Sequence, residues 1–269
     1  MKLSLSNLAW ERENDKTISK ILTNFNISTI DLVPTKYLKN VKDTNIKELN
    51  SIRKFWFSKG FSIYGMQSIF YGCNDNLFEN DISRYNLLEH FKHICKIGSF
   101  FGAQALVFGS PKNRFALYNQ KKNKNIYRKF FYQLGEVARL HDLKLCLEPN
   151  PRVYKCNFMT NMVESYNVIS NVNHPNIKMQ LDIGAMIINK EQVELINEFQ
   201  NHISHIHISE PYLKAFGENL NYHKKVSDIL YKNFYDRTIC LEMLKINDDK
   251  NHNKFINAIE KFIEIYGII

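Results

Sequence analysis

The sequence predicts an α/β fold, a single (β/α)8 barrel that spans residues 1–269. Three observations support this prediction: eight short apolar or β-branched runs, helix-like stretches between them, and a spacing of roughly 25 to 45 residues from one run to the next. Single α/β barrels commonly fill a length of 269 residues. An open doubly wound sheet is the alternative, but it usually has fewer strands and a glycine-rich first turn, which this sequence lacks.

The eight runs have the composition of β-strands. In chain order they are Leu3–Leu8, Thr29–Val33, Ser62–Met66, Ala105–Gly109, Lys144–Glu148, Lys178–Asp182, Ile203–Ser209 and Thr238–Met243. Between them, apolar residues recur three and four positions apart, which is the spacing of one helix face. The clearest helical stretches are Tyr85–Phe101, Tyr127–His141 and Phe255–Tyr266. This alternation predicts βα units joined by short loops.

The composition is that of a globular protein. Apolar residues make up 44% and charged residues 23% of the chain, which excludes disordered, collagen-like and disulfide-scaffold proteins. No stretch approaches the roughly 18–20 consecutive apolar residues that a membrane span needs, so we expect no membrane partner. The first ten residues lack a signal-peptide core and the five cysteines form no CxxC pair. We therefore expect a cytoplasmic protein; a homo-oligomer is compatible with the sequence.

The net charge of +9 and the pI near 9.1 raise the question of nucleic-acid binding. The lysines, however, are spread along the chain, and the densest run, Lys121–Lys124, is typical of a solvated loop before a helix. We expect no specific nucleic-acid partner.

Side chains that can bind a metal stand at the ends of the last four candidate strands. They are Glu148, Asp182, His207 and Glu242, separated by 34, 25 and 35 residues. Because the C-terminal ends of barrel strands share one rim, these side chains could converge. A strand-ending aspartate often caps the next helix, and this alternative stays open for Asp182 alone. Three acids and a histidine in register favour a metal site.

The ligand chemistry indicates one divalent ion. Three carboxylates and one imidazole form a mainly hard-oxygen set, which suits Mn²⁺, Mg²⁺ or Co²⁺, and Zn²⁺ is compatible with it. A cysteine-rich structural zinc site is not supported. His205 has the same strand parity as His207, but we expect it to be packed in the core because His207 lies nearer the strand end.

Four short motifs, in this order, carry a family resemblance: Leu147–Pro151, Gln180–Asp182, His205–Pro211 and Leu241–Met243. With them the sequence resembles the xylose isomerase-like TIM barrel superfamily, the sugar phosphate isomerase/epimerase group that also contains endonuclease IV-like enzymes. The resemblance spans nearly the whole chain. It implies that the four strand-end residues bind one divalent metal and that Glu148 and Glu242 exchange protons with the substrate carbon.

The implied activity is a metal-dependent isomerase or epimerase that acts on a sugar or sugar phosphate through an enediolate. Proton return to the opposite face gives epimerisation, and return to the neighbouring carbon gives isomerisation. The chain departs from relatives at three positions. Ala185 stands where many epimerases carry a histidine, and Tyr154 and Leu213 stand where ketose 3-epimerases tend to carry an acid and an arginine. These departures argue against a free-ketose 3-epimerase.

Other polar residues near the strand ends are candidates for contacts with a small, sugar-like substrate. They are Gln67, Asn150, Arg152, Glu210 and His223, with Lys214 as a further loop cation. A solvated loop charge is the alternative for Arg152 and Lys214, and a loop or helix cap is the alternative for Glu210. Aromatic Trp10, Phe70 and Tyr71 are expected to line a pocket or to pack in the core.

Three other functions remain open. An endonuclease IV-like phosphodiesterase would need a trinuclear site with more histidines, including some at the ends of strands three and four, where Gln67 and Gly109 stand. A lyase or dehydratase on the same scaffold would begin with the same proton removal. A non-catalytic binding barrel would carry a vestigial pocket and hold little metal.

Overall fold

Eight parallel strands close into a barrel in the computed structural model, each strand hydrogen-bonded to the next and β8 to β1. The structure describes residues 1–233, 235–247 and 252–267. The strands are β1 (Lys2–Ser6), β2 (Thr29–Leu32), β3 (Ser62–Met66), β4 (Ala105–Phe108), β5 (Lys144–Leu147), β6 (Ile177–Asp182), β7 (Ile203–Ser209) and β8 (Thr238–Glu242). All eight fall on the runs identified in the sequence, so the predicted (β/α)8 barrel is confirmed.

Helices follow the strands and cover the outside of the barrel. In the described residues they are α1 (Asp15–Asn24), α2 (Ile46–Phe57), α3 (Asp81–Phe101), α4 (Gln120–Arg139), α5 (Met162–Val172), α6 (Ile183–Asn189), α7 (Leu195–Phe199), α8 (Leu220–Lys232) and α9 (Asn253–Tyr266). The lysine run that we expected in a loop lies instead in the first turns of α4. The reason is an N-cap: the Asn119 side chain accepts a hydrogen bond from the Lys122 backbone N–H.

Apolar and polar residues alternate along β5–β8, and this alternation separates two environments. Residues such as Leu147, Leu181, Ile206 and Leu241 are fully buried in the hydrophobic core. The intervening positions carry small or polar side chains, which therefore collect inside the barrel. No helix in the described part of the chain has the length and apolar character needed to cross a membrane.

Candidate metal and active site

The four strand-end residues singled out in the sequence come together at one rim of the barrel. Asp182 and His207 are direct neighbours in the β6–β7 register, and Ser209 of β7 lies opposite Glu242 of β8. Each of Glu148, Asp182, His207 and Glu242 offers a donor atom within 4.8 Å of the others. The expected convergence is present; that the cluster binds a metal stays a prediction.

His207 lies between the two glutamates and has an unused nitrogen facing them. Its Nδ1 atom is 3.1 Å from Glu242 Oε2 and 3.5 Å from Glu148 Oε1. Neither contact has hydrogen-bond geometry, and this fully buried nitrogen has no hydrogen-bond partner among the described residues. A buried nitrogen without a partner is costly. The surrounding oxygen atoms make this a donor set that fits a divalent cation.

The electrostatics of the cluster also favour a cation. Burial, together with the charges of Glu148 and Glu242, raises the pKa of Asp182 to about 7. Burial alone would lower the pKa of His207, but the charge of Glu242 and the nearby Asp31 raise it well above its ordinary value. Protons are thus attracted to a site with an excess of negative charge, and a divalent ion can take their place.

Asp182 has the capping role that the sequence left open, in addition to its place in the cluster. Its Oδ1 atom accepts a hydrogen bond of 2.6 Å from the Ala185 backbone N–H at the start of α6. Its Oδ2 atom accepts one of 2.7 Å from the Ser209 hydroxyl. A carboxylate oxygen can accept more than one interaction, so the two roles are compatible. The hydrogen bonds fix the direction of the carboxylate toward the cluster.

Both glutamates are held by neighbouring amide side chains. Gln67 Nε2 donates a 2.5 Å hydrogen bond to Glu242 Oε1. Asn150 Nδ2 lies 3.3 Å from Glu148 Oε2 and donates at 2.8 Å to the Gly109 carbonyl. Gln67 and Asn150, expected as substrate contacts, therefore orient the proposed acid/base residues. Gln67 also lines the cavity and can contact a ligand.

Gly109, which follows β4, leaves the space that Glu148 occupies. A Cβ atom at this position would overlap the Glu148 Oε2 atom. We expect Gly109→Ala to displace this carboxylate and to weaken metal binding by roughly 10-fold or more, the scale seen when the surroundings of a ligand are disturbed. Calorimetric titration with Mn²⁺ measures the effect. Unchanged affinity in a folded variant would show that Glu148 is not a ligand.

A cavity of about 290 Å³ opens onto the cluster. Its lining includes Glu148, His207 and Glu242, the polar residues Gln67, Ser68, Tyr71 and Ser110, and the apolar residues Leu8, Ile69, Phe70, Val107, Phe108 and Leu213. Phe70 and Tyr71 thus line the pocket, as one of the two sequence hypotheses expected. Trp10 agrees with the alternative hypothesis of core packing, because it is buried and packs against Trp56 and Phe255.

The four other candidate substrate contacts lie elsewhere. Arg152 is exposed and does not line the cavity. Glu210 Oε1 accepts hydrogen bonds from the backbone N–H groups of residues 217–219, the loop before α8. His223 Nδ1 is 2.9 Å from the Tyr266 hydroxyl, and its Nε2 is 3.6 Å from Glu210. Glu210 and His223 anchor this loop instead of facing the cavity. Lys214 pairs at the surface with Glu218.

The Glu210 cap makes stability depend on pH. Burial alone would raise its pKa, but the nearby His223 imidazole, 3.6 Å away, and the hydrogen bonds from Asn219 and Gly217 outweigh burial and lower it to about 2. Because the folded pKa is depressed, the stabilisation is present above the ordinary pKa of about 4.3 and is lost as pH falls toward 2. We expect Glu210→Gln to lower the free energy of unfolding at pH 7 by about 1–3 kcal/mol. Urea denaturation between pH 7 and pH 3 should show this deficit shrinking; a constant deficit would contradict the assignment.

Two buried charged residues at the site were missed in the sequence. Arg114, which follows β4, is fully buried and donates a 2.6 Å hydrogen bond to the Glu148 backbone carbonyl. Asp31 lies within β2, 2.5 Å from His205 and 3.5 Å from His207. The only sequence signal for Asp31 is its position in the middle of an apolar run, Thr29–Val33. His205 is fully buried, in agreement with the core position expected for it.

A family model described as xylose isomerase-like TIM barrel matches residues 24–264. No curated protein matches the chain significantly.

Solved structures with the same fold include D-psicose 3-epimerase with D-tagatose from Clostridium cellulolyticum H10, with a TM-score of 0.83, 14% identity and 99% coverage of both chains. The apo 3-keto-D-glucoside 4-epimerase from E. coli has a TM-score of 0.77 at 13% identity, with 97% of this chain and 99% of that chain covered. The IOLI protein with a bound zinc atom has a TM-score of 0.74 at 14% identity, covering 99% and 98%. At these identities the similarity establishes the fold.

Proposed function

Because the chain belongs to the xylose isomerase-like TIM barrel family, we propose that it is a divalent-metal-dependent isomerase or epimerase of uncharged sugars. The observation that carries the proposal is the placement of two glutamates, Glu148 and Glu242, on either side of the unused His207 Nδ1 atom, at the wall of a cavity. Two proteins of similar fold at low identity are sugar epimerases, and the IOLI protein, also of similar fold, binds a zinc atom, which supports this chemistry.

The cavity favours a substrate without phosphate. No lysine or arginine is among the described residues that line it, and its polar groups beyond the cluster are the amide of Gln67 and the hydroxyls of Ser68, Ser110 and Tyr71. A buried phosphate group without cationic partners would be strongly disfavoured. Amide and hydroxyl groups instead match sugar hydroxyls, while Phe70 and Phe108 offer apolar surface to the C–H faces of a sugar ring.

In the proposed reaction, metal binding, proton transfer and positioning are carried out by different groups of residues. A divalent ion held by Glu148, Asp182, His207 and Glu242 would polarise the carbonyl of a bound sugar and make the adjacent C–H group more acidic. One glutamate removes that proton, and the other donates a proton to the opposite face or to the neighbouring carbon. Gln67 keeps the Glu242 carboxylate fixed during the transfer, and Asn150 does so for Glu148.

The experiment is deuterium exchange in D₂O with metal-loaded protein and a panel of ketoses, aldoses and their phosphate esters. We expect solvent deuterium to enter the carbon next to the carbonyl of an uncharged sugar, detected by NMR, with slower reaction of the phosphate ester. Reaction of the phosphate esters alone would contradict the substrate class. Loss of a hydroxyl group from the product would indicate the dehydratase alternative. In a separate assay, cleavage of an abasic DNA duplex would indicate the endonuclease alternative.

A further inference from the structure

Asp31 of β2 is a fully buried carboxylate in direct contact with two histidines of β7. Its Oδ2 atom is 2.5 Å from His205 Nε2 and 3.5 Å from His207 Nε2. Its Oδ1 atom accepts a hydrogen bond of 3.3 Å from the Ser4 hydroxyl. Ser4, Asp31, His205 and His207 are all 0% exposed. A charged group at such a position is retained only where its partners compensate for the loss of water.

The backbone is shaped to accommodate this carboxylate. The β2–β3 register shifts between Ile30 and Asp31, so that Asp31 lies opposite Gly65. A Cβ atom at Gly65 would overlap the Asp31 carboxylate group. A β-bulge beside a glycine often re-aims a side chain next to a functional site. The bulge and the absence of a side chain at Gly65 together leave space for the Asp31 carboxylate beside the histidines.

The two ring nitrogens of His207 face different partners. Nδ1 faces Glu148 and Glu242, whereas Nε2 faces Asp31 at 3.5 Å, and neither buried nitrogen has a hydrogen-bond partner among the described residues. A histidine that binds a cation through Nδ1 must carry its proton on Nε2, and a buried N–H group needs an acceptor. A carboxylate behind a ligating histidine fixes both the tautomer and the ring orientation.

We propose that Asp31, held in place by His205 and Ser4, is a positioning residue that keeps the proton of His207 on Nε2 and directs Nδ1 into the metal site. The proposal rests on the metal site of the proposed function but not on its reaction. His205 contacts the same Asp31 Oδ2 atom that faces His207, and Ser4 holds the other carboxylate oxygen, so the carboxylate is restrained from turning away.

A second metal ion between Asp31, His205 and His207 is the competing interpretation, because their donor atoms also lie close together. The 2.5 Å separation of His205 Nε2 and Asp31 Oδ2 is a hydrogen-bond distance. Two ligands of one ion, each at about 2.0–2.2 Å from it, stand roughly 3 Å or more apart. The observed distance therefore favours a shared proton over a shared ion.

The first test uses the unaltered protein loaded with Zn²⁺, which is diamagnetic, and ¹⁵N-labelled histidine. NMR correlation of ring nitrogens and protons should show His207 with Zn²⁺ on Nδ1 and a slowly exchanging proton on Nε2. Zinc on Nε2, or a rapidly exchanging Nε2 proton, would overturn the proposal. This measurement needs no substitution at the buried position.

The second test measures Zn²⁺ and Mn²⁺ affinity of two variants by calorimetry. Asp31→Asn keeps the shape but replaces one acceptor oxygen with a donor, and Gly65→Ala displaces an intact Asp31. Each should bind metal roughly 10–100-fold more weakly, the usual effect of losing an outer partner of a ligand. The matched control is Asp15→Asn, which alters another buried aspartate, bonded to Trp10 and Tyr37 at 2.8 Å each. The control should retain the parental affinity.

The outcomes separate the two proposals. Affinity within twofold of the parent in both folded variants would overturn the role of Asp31 and leave the metal-dependent function intact. If the parent binds two zinc ions per chain and Asp31→Asn binds one, Asp31 would be a ligand of a second metal ion and not a positioning residue. A parent that binds no divalent ion would overturn both proposals, while a parent that binds metal but exchanges no sugar proton would overturn only the function.

Discussion

Replacement of Glu148 or Glu242 by glutamine is expected to lower turnover of the proposed reaction by roughly 10²–10⁴-fold, the usual contribution of a positioned general acid or base. Glutamine keeps the size of the side chain but removes its basic oxygen. The orienting donors also remain: Gln67 can donate to a carbonyl oxygen at position 242, and Asn150 to one at position 148. The loss should therefore reflect proton transfer more than altered geometry.

The two variants should differ from each other in a way that assigns each glutamate to a face. With one base left, a variant can still remove and return the proton on one side of the substrate, so solvent deuterium enters without completed inversion. Rates are measured at saturating metal with the bound metal quantified, because both residues are also proposed ligands. A substrate labelled with tritium next to the carbonyl detects transfer that does not exchange with solvent.

Glu191→Gln is the matched control for these variants. Glu191 accepts a hydrogen bond from the Met162 backbone N–H and does not line the cavity. Its replacement should leave turnover near the parental value. Parental rates in both Glu148→Gln and Glu242→Gln, with the label retained in the product, would rule out glutamate-mediated proton transfer.

The barrel and the rim cluster could be predicted from the sequence because both depend on regular spacing. Each βα unit places a strand end at the same rim, so four polar side chains about one unit apart indicate a common site before any distance is known. The strand ends of β3 and β7 agree with the sequence runs at both ends, and the remaining strands differ only at their terminal residues.

Contacts between distant strands could not be predicted in the same way. Asp31 is separated from His205 by 174 residues, and only closure of the barrel brings β2 and β7 side chains together in its interior. Arg114 follows β4 in a short 3₁₀ helix, Lys112–Arg114, and nothing in the local pattern indicates that its side chain reaches the Glu148 carbonyl. A buried aspartate inside an apolar run is a usable signal, but it does not identify its partner.

Glu210 shows a different limit of prediction from the sequence. A polar residue directly after a barrel strand can face the cavity or bind the loop that follows it, and the sequence permits both. The structure decides in favour of the loop because three consecutive backbone N–H groups, at residues 217–219, point to one carboxylate oxygen. Such a set of donors depends on the loop conformation, which the sequence pattern does not specify.

Asp182→Asn is expected to reduce Mn²⁺ affinity by at least roughly 100-fold, more than the loss typical of an outer partner, because it removes a charged ligand from the centre of the cluster. Asparagine retains one oxygen, which can still accept the hydrogen bond from the Ala185 N–H and cap α6. The fold should therefore persist while metal binding fails. Calorimetry and elemental analysis of the purified variant measure the loss.

Thermal unfolding gives an independent measurement of the same substitution. A ligand that binds only the folded state at 100 times its Kd adds about 2.7 kcal/mol to the free energy of unfolding. Mn²⁺ should therefore raise the Tm of the parent but hardly that of Asp182→Asn at the same concentration. Without metal, the variant should be at least as stable as the parent, because Asp182 no longer adds a charge beside Glu148 and Glu242. A variant as metal-loaded as the parent, with the same rise in Tm, would show that Asp182 only caps its helix.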